Sequence, residues 1–484
     1  MPEPWHPHAG QRKAVKALIE NACLALLADV GCGKTSSVYG AFKVLRRKGL
    51  ARRMLVVAPL KPAHLVWPAE AAKWADFADL RVEVLHGKGR EAALARDSDV
   101  CVVNFDGLEW LLGAVKTKTP SGKVKVTCDV KAFRAHGFDT LVVDELHSVK
   151  HHDTVRSKAL RAVRETFSRV WGLTATPAPN GLIDLFGQML VVDGGRTFGP
   201  YVTHFRNAYF VPGADGFSWL LRKGADAEIY ERMKPVSLRL VSSDYVDVPD
   251  LVERSSIFDL PPAAQRVYDA LEEDMVAKVA DRTVVASNAA AASTKLRQVA
   301  SGGVYLDGEP LAVVPKRLRA GGREWAHLHD EKTDLVAELV DELQGAPLLV
   351  AYDFHHDLER LRARFGKDVP NIGSGVSTRR AKEIEAAWNA GELPLLLGHP
   401  QSMGLGLNLQ GAGNHVCFYS MPWARDVYDQ LIGRVRRQGS RHDRVYVHHL
   451  VARGTVDEVV YWALKGKARV QDAFLDAMRA KVRK

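Results

Sequence analysis

Two α/β domains in tandem, each a parallel sheet flanked by helices, with a mainly helical insertion between them, are the fold the sequence predicts. Three observations carry that reading. Short continuous apolar runs recur between helical patterns, as strands covered on both faces require. One of them, Ala22–Ala28, leads into the glycine loop Asp29-Val30-Gly31-Cys32-Gly33-Lys34-Thr35 and then a helical pattern, Ser36–Lys48. A second alternation of strands and helices follows a basic, glycine-bearing stretch, Lys316–Arg323, where a domain boundary belongs.

Length agrees, since 484 residues exceed what one core ordinarily organises. The expected division is 1–200, 201–324 and 325–484. Apolar content is that of a globular protein, and no apolar run is long enough to span a bilayer. Without an apolar leader at Met1–His8, a cytoplasmic protein is expected. A net charge of +10 suggests an anionic partner. The five cysteines have no paired spacing, so neither a zinc site nor a disulfide framework is supported. Cys23, Cys101 and Cys417 read as core residues, while Cys32 lies in the glycine loop, and its oxidation is not predicted. The pairs His151-His152, His355-His356 and His448-His449 diverge on either regular element, so surface or core histidines are expected rather than a metal site.

In chain order, Gln11–Asn21 is a helical pattern. A glutamine just upstream of a phosphate loop can read an adenine edge, because its amide both donates and accepts. In the loop, Gly31 and Gly33 let the backbone curl so that the N–H groups of Cys32, Lys34 and their neighbours, up to Ser36, face phosphate oxygens at a helix N-terminus. Lys34 would reach the terminal phosphates and the Thr35 hydroxyl would hold Mg²⁺. Ala28 stands where the motif's first glycine is usual. Read alone the stretch is a glycine-rich turn; Lys34-Thr35 favours the phosphate site.

Arg53–Pro59, Val82–Leu85 and Val100–Asn104 read as strands and Leu65–Ala75 as a helix, with Trp67, Trp74 and Trp110 as packing residues. Lys116–Thr127 alternates Lys with Val or Thr around Pro120-Ser121-Gly122. It reads as a hairpin, either a lysine-guarded edge or a phosphate contact. Thr140–Val143 is a strand ending in Asp144-Glu145-Leu146-His147. With a phosphate loop upstream, Asp144 would hold the Mg²⁺ bridging the phosphates, and Glu145 would orient and deprotonate water. Val170–Leu173 is a strand closing in Thr174-Ala175-Thr176-Pro177.

The ordered set Gln11, Gly31-Cys32-Gly33-Lys34-Thr35, Asp144-Glu145-Leu146-His147 and Thr174-Ala175-Thr176-Pro177 resembles the first motor domain of helicase superfamily two. Asp144–Leu160 and Trp67 through Trp74 look more narrowly like the Swi/Snf class of DNA-dependent ATPases. So do Asp247–Leu251, Asp259-Leu260-Pro261 before the helical pattern Pro261–Asp281, and Lys295-Leu296-Arg297-Gln298. In the second domain Pro347–Ala351 and Leu395–Leu397 read as strands, and Asp357–Phe365 and Ala381–Asn389 as helices. Ser402–Gln410, with Gly404 and Gly406, is a small-residue loop suited to close backbone approach. Gln430–Gly439, at the end of a helix from about Ala424, carries Arg434 and Arg437, three apart and so on one helix face.

The resemblance implies tandem RecA-like domains, ATP and Mg²⁺ as cofactors, and a site that Arg434 and Arg437 complete from the second domain. It implies coupling roles for His147, Thr174, Thr176, Gly404, Gly406 and Gln430. It also implies duplex DNA as the track, in a bacterial or phage type of enzyme, with a monomer expected and a targeting protein partner left open. His399-Pro400-Gln401 and Ser420-Met421-Pro422-Trp423 depart from the class pattern. The leading reading is an ATP-driven double-stranded DNA translocase. A strand-separating DNA or RNA helicase is the alternative enzyme, and a DNA-binding scaffold with an inactive ATP site the alternative of another class.

Overall fold

Covered on both faces, the apolar runs of the first half assemble into one all-parallel sheet. The structure, a computed structural model, describes residues 2–118, 124–213, 219–245, 247–280, 286–306, 317–320, 323–403 and 406–466. Two units result, Met1–Asp247 and Val248–Gly466.

In the first unit the strands are β1 (Cys23–Ala28), β2 (Met54–Ala58), β3 (Val82–Val84), β4 (Val100–Asn104), β5 (Val115–Lys118), β6 (Val124–Thr127), β7 (Thr140–Asp144), β8 (Arg169–Thr174), β9 (Phe210–Pro212), β10 (Trp219–Leu221) and β11 (Ser237–Leu240). Seven of them form a sheet in the order β11-β1-β8-β7-β2-β4-β3. Every pairing in it is parallel. Their carboxyl ends therefore share one edge, where α/β sheets bind ligands. Helix α1 (Ala9–Glu20) packs on α2 (Lys34–Arg47) over one face. Their core joins Leu18, Phe42, Trp67 and Trp171. The other face carries Leu141, Leu160, Phe186 and Met189.

The second unit holds β12 (Asp250–Phe258), β13 (Gly303–Tyr305), β14 (Arg317–Ala320), β15 (Arg323–His327), β16 (Leu348–Ala351), β17 (Asn371–Ile372), β18 (Leu395–Gly398), β19 (His415–Phe418) and β20 (Arg444–Ala452). Its main sheet runs β12-β20-β19-β16-β18-β17, again all parallel. The fold is thus two tandem RecA-like units, as the sequence implies. Helices Val202–Tyr209, Ala225–Met233, Pro262–Ala280 and Ala286–Ser301 dominate the regular structure of the middle stretch. Its β11 nevertheless pairs with β1, and its β12 pairs with β20 over nine residues.

Hairpin β5–β6 forms apart from the main sheet. Its turn, Pro120-Ser121-Gly122, lies outside the described residues, as do Lys123 and Gly404. All five cysteines are free, with Cys101 and Cys417 buried in strands and Cys23 partly buried. Among the described residues no three His, Cys, Asp or Glu side chains gather as a metal site. No helix among them is long and apolar enough to cross a membrane.

Candidate nucleotide site

Strand order explains why distant residues meet in the first unit. β1 delivers the glycine loop, β7 the acid pair and β8 the threonines, and β8 lies between the other two. Gly31 and Gly33 take φ of 91° and 67°, a region open to glycine without strain. Gly33 has a second reason to lack a side chain, because a Cβ there would stand 2.2 Å from Gln11 Nε2. Gln11 is buried against the loop. Its Nε2 donates to Ser36 Oγ at 3.0 Å and its Oε1 accepts from His8 N at 3.0 Å. Both ends of the amide expected to read adenine are thus engaged, tying α1 to the first turn of α2.

The Lys34 ammonium folds back onto its own loop, donating to the carbonyls of Ala28 (2.9 Å) and Asp29 (3.1 Å). Asp29 accepts from Arg239 Nη2 at 2.6 Å and from Ser242 N at 3.0 Å. Despite burial, the Arg239 charge and these bonds hold its carboxyl below the usual range. The edge strand β11 thereby braces the loop. Cys32 is 2 % exposed, and burial together with the Asp29 charge pushes its thiol up to about 11. A thiol raised this far and buried stays protonated at neutral pH, which disfavours its oxidation.

Asp144 ends β7 in a tight pocket of donors. Its Oδ2 accepts from Trp67 Nε1 at 3.0 Å and its Oδ1 from Glu145 N at 3.0 Å. Burial first, and the neighbouring Glu145 charge second, raise its carboxyl to about 6, with Trp67 and Lys34 opposing. Trp67 is more than packing: fully buried, it donates to Asp144 while its carbonyl accepts from Tyr39 Oη at 2.9 Å. Nothing in the sequence pairs residues 77 positions apart.

Glu145 adopts the left-handed region at φ 51°, ψ 59°, rare for a residue with a side chain. Its buried Oε2 makes no hydrogen bond and lies 3.4 Å from His147 Nδ1. His147 Nδ1 is also 3.3 Å from Thr174 Oγ1 and 3.5 Å from Thr176 Oγ1. The acid motif and the threonines after β8 are therefore one hydrogen-bonded cluster. The donor set fits Mg²⁺: a hydroxyl at Thr35 and a carboxylate at Asp144 are hard oxygen ligands. Mg²⁺ takes one or two of these and fills its shell with phosphate and water. An acid pair whose mutual repulsion raises Asp144, with one orphaned oxygen, is an environment that a cation relieves.

In the second unit, Gln430 and Arg434 lie on the helix Arg425–Val435. Arg437 does not. The helix ends at Val435, Arg436 leaves it at ψ 83°, and Arg436 Nε donates to Pro249 O at 2.7 Å. The shared helix face expected for Arg434 and Arg437 is therefore corrected, because this anchor pulls the chain out of helical register. A different device relates them. Leu409 N donates to Arg434 O at 2.9 Å, and Arg437 Nη1 donates to Asn408 Oδ1. The small-residue loop, with Gly406 at φ 79°, is thus knitted to both arginines. Asn408 is held in turn by Glu385, which accepts from its N–H at 2.6 Å.

A glycine loop, a lysine and a strand-end acid pair on the carboxyl edge of a parallel sheet define a phosphate-loop nucleoside triphosphatase. Residues 11–301 match the SNF2-related domain and residues 331–439 the helicase conserved C-terminal domain. The chain belongs to the SNF2-related family, and it is an ATP-hydrolysing enzyme of helicase superfamily two. It is 32% identical over 98% of its length to protein p41 of Acyrthosiphon pisum secondary endosymbiont phage 1, covering 99% of that protein. It is 22% identical over 94% of its length to the ATP-dependent helicase/translocase YwqA of Bacillus subtilis, and 22% identical over 96% to the human DNA annealing helicase and endonuclease ZRANB3. Of those two longer proteins it spans 46% and 40%. Among solved structures, the Sulfolobus solfataricus SWI2/SNF2 ATPase core in complex with dsDNA superposes with a TM-score of 0.43 at 21% identity. The match covers 98% of this chain and 95% of that one.

Proposed function

We propose that this enzyme is a DNA-dependent ATPase that moves along double-stranded DNA. The observation that carries the proposal is the division of the reacting groups. Lys34, Thr35, Asp144 and Glu145 belong to one unit, and Arg434 and Arg437 to the other. Lys34 would exchange its two carbonyl partners for ATP phosphate oxygens. Glu145, its free oxygen turned toward His147, would take a proton from the attacking water. Thr35 and Asp144 would hold Mg²⁺, which when bound supplies charge neutralisation at the phosphates. Arginines brought to the transferring phosphoryl group are worth ~10³–10⁵ in rate in other nucleoside triphosphatases. Hydrolysis would therefore depend on how the units are arranged, and a chain gripping one duplex with both units would advance as that arrangement cycles.

DNA as the track is supported by the similarity to the DNA annealing helicase and endonuclease ZRANB3 and by the +10 charge. The cluster His147–Thr174–Thr176 supports a route from the acid motif to the rest of the unit. ATP turnover measured with duplex DNA, single-stranded DNA and RNA tests the reading. Stimulation is expected to be greatest with duplex. Equal stimulation by RNA would overturn it, and displacement of a strand from a forked substrate would favour the strand-separating alternative.

A further inference from the structure

The ribbon β5–β6 is required neither by the nucleotide site nor by the fold. Ala114–Cys128 holds four lysines and no acid. Lys116 stands opposite Val126, and Thr117 opposite Lys125. All eight ribbon residues except Val126 are exposed.

Two strands of this length are not stable by themselves in water, so the ribbon must be held, and three contacts hold it. Val126 packs against the core of the first unit. Lys116 pairs with Glu109 at 2.7 Å. Lys158 Nζ, in the helix Val155–Val163, donates to Val124 O at 2.8 Å. That helix follows the acid motif, and Lys158 is in its first turn. The outer end of the ribbon is therefore fixed toward the sheet edge that carries the nucleotide loop.

Side chains alternate across a strand. Lys116 and Lys118 thus share a face with Val126, and Lys125 lies on the opposite face with Thr117. Among the described residues neither Lys118 nor Lys125 meets a carboxylate. Every charge in the stretch is positive, as a partner of phosphate requires.

We infer that this ribbon is a phosphate contact for duplex DNA, its outer end presenting Lys118 on one face and Lys125 on the other. A two-stranded ribbon fits a major groove about 12 Å wide. Lys118 on one strand and Lys125 on the other would engage phosphates as point charges blind to sequence. The inference rests on the nucleic-acid reading above.

The test compares the full chain with the Lys118→Ala/Lys125→Ala variant for binding to a mixed-sequence duplex across a salt series. Losing two phosphate contacts should lower the slope of log affinity against log salt by about 1.8, and weaken binding about tenfold or more at low salt. DNA-free ATP turnover and melting temperature should not change, because both side chains are exposed and neither bonds to a residue of the nucleotide site. The Lys118→Arg/Lys125→Arg variant should keep the wild-type slope. An unchanged slope in the alanine variant, while the wild type binds duplex, overturns the ribbon assignment alone. Loss of poly-glutamate binding with an unaltered duplex slope overturns it in favour of an acidic protein. A wild type that neither binds duplex nor is stimulated by it overturns the nucleic-acid reading and the ribbon assignment together.

Discussion

Replacing Asp144 with Asn should make the nucleotide-free enzyme more stable while removing its activity. Asp144 titrates near 6 instead of its ordinary 3.8, because it is buried and faces the Glu145 charge. Between those two values the folded chain binds more protons than the unfolded one. Stability contributed by this group is therefore present at acid pH, falls as pH rises through the window, and is fully lost above the folded value. The rise from 3.8 to about 6 puts the penalty at neutral pH at about 3 kcal/mol. Asn carries no charge and keeps one oxygen for Trp67 Nε1, but its amide nitrogen then faces Glu145 N where Oδ1 accepted; that lost bond costs about 1 kcal/mol, so about 2 kcal/mol of the penalty should disappear. For a unit of this size the gain is about 3–8 °C in melting temperature. Differential scanning calorimetry with a chelator and no nucleotide, at pH 8 and pH 4, measures it. The gain should appear at pH 8 and vanish at pH 4. A variant that melts at or below wild type at pH 8, or gains equally at both pH values, refutes the account of Asp144 as a charge held at a cost.

Other expectations follow from the same geometry. Glu145→Gln should lower ATP turnover by about 10²–10⁴ while leaving nucleotide binding intact, checked by steady-state turnover beside a fluorescent-nucleotide titration. Thr174→Val removes an oxygen that lies 3.3 Å from His147 Nδ1 and accepts from Thr176 N at 3.1 Å; the ratio of DNA-stimulated to basal turnover should fall about tenfold, with basal turnover retained, since two cluster bonds are lost and no reacting group is touched. Asn408→Ala removes one hydrogen-bond partner of Arg437 and should cut kcat with little change in KM. It should add nothing to Arg437→Ala in the double variant, as expected of residues that act as a unit. Gly172→Ala should destabilise the first unit by about 1–3 kcal/mol in urea unfolding, because its Cβ would meet Leu146 Cδ2 at 2.5 Å.

The phosphate loop, the acid pair and the threonines were legible as motifs because strands buried on both faces read as unbroken apolar runs, and each of these three motifs lies at or just after the carboxyl end of one. β12 was not legible as a strand. Its polar alternation, Asp250 to Phe258, acquires strand geometry from pairing with β20, and a partner nearly two hundred positions away leaves no local trace. The same holds for Arg239 on Asp29 and Trp67 on Asp144, each a single long-range bond. Arg437 shows the opposite failure. Helical spacing continued past Val435 on paper, while one bond from Arg436 to Pro249 ended the helix.

The left-handed backbone at Glu145 explains why the acid motif and β8 form one device. Such a conformation costs on the order of 1–3 kcal/mol and persists only where its surroundings over-determine it. Here three neighbours do so. Glu145 N is bound by Asp144 Oδ1, His147 is placed beside the Thr174 and Thr176 hydroxyls, and Leu146 fills the notch left by Gly172 in β8. Two of the three belong to β8 or the turn after it. A displacement of that strand end would relax the strain and swing the Glu145 carboxylate, so the end of β8 sets the position of the proposed base without touching the nucleotide. Control of hydrolysis from elsewhere in the unit then needs no new contact at the phosphates, only a change in how firmly Leu146 and His147 are seated.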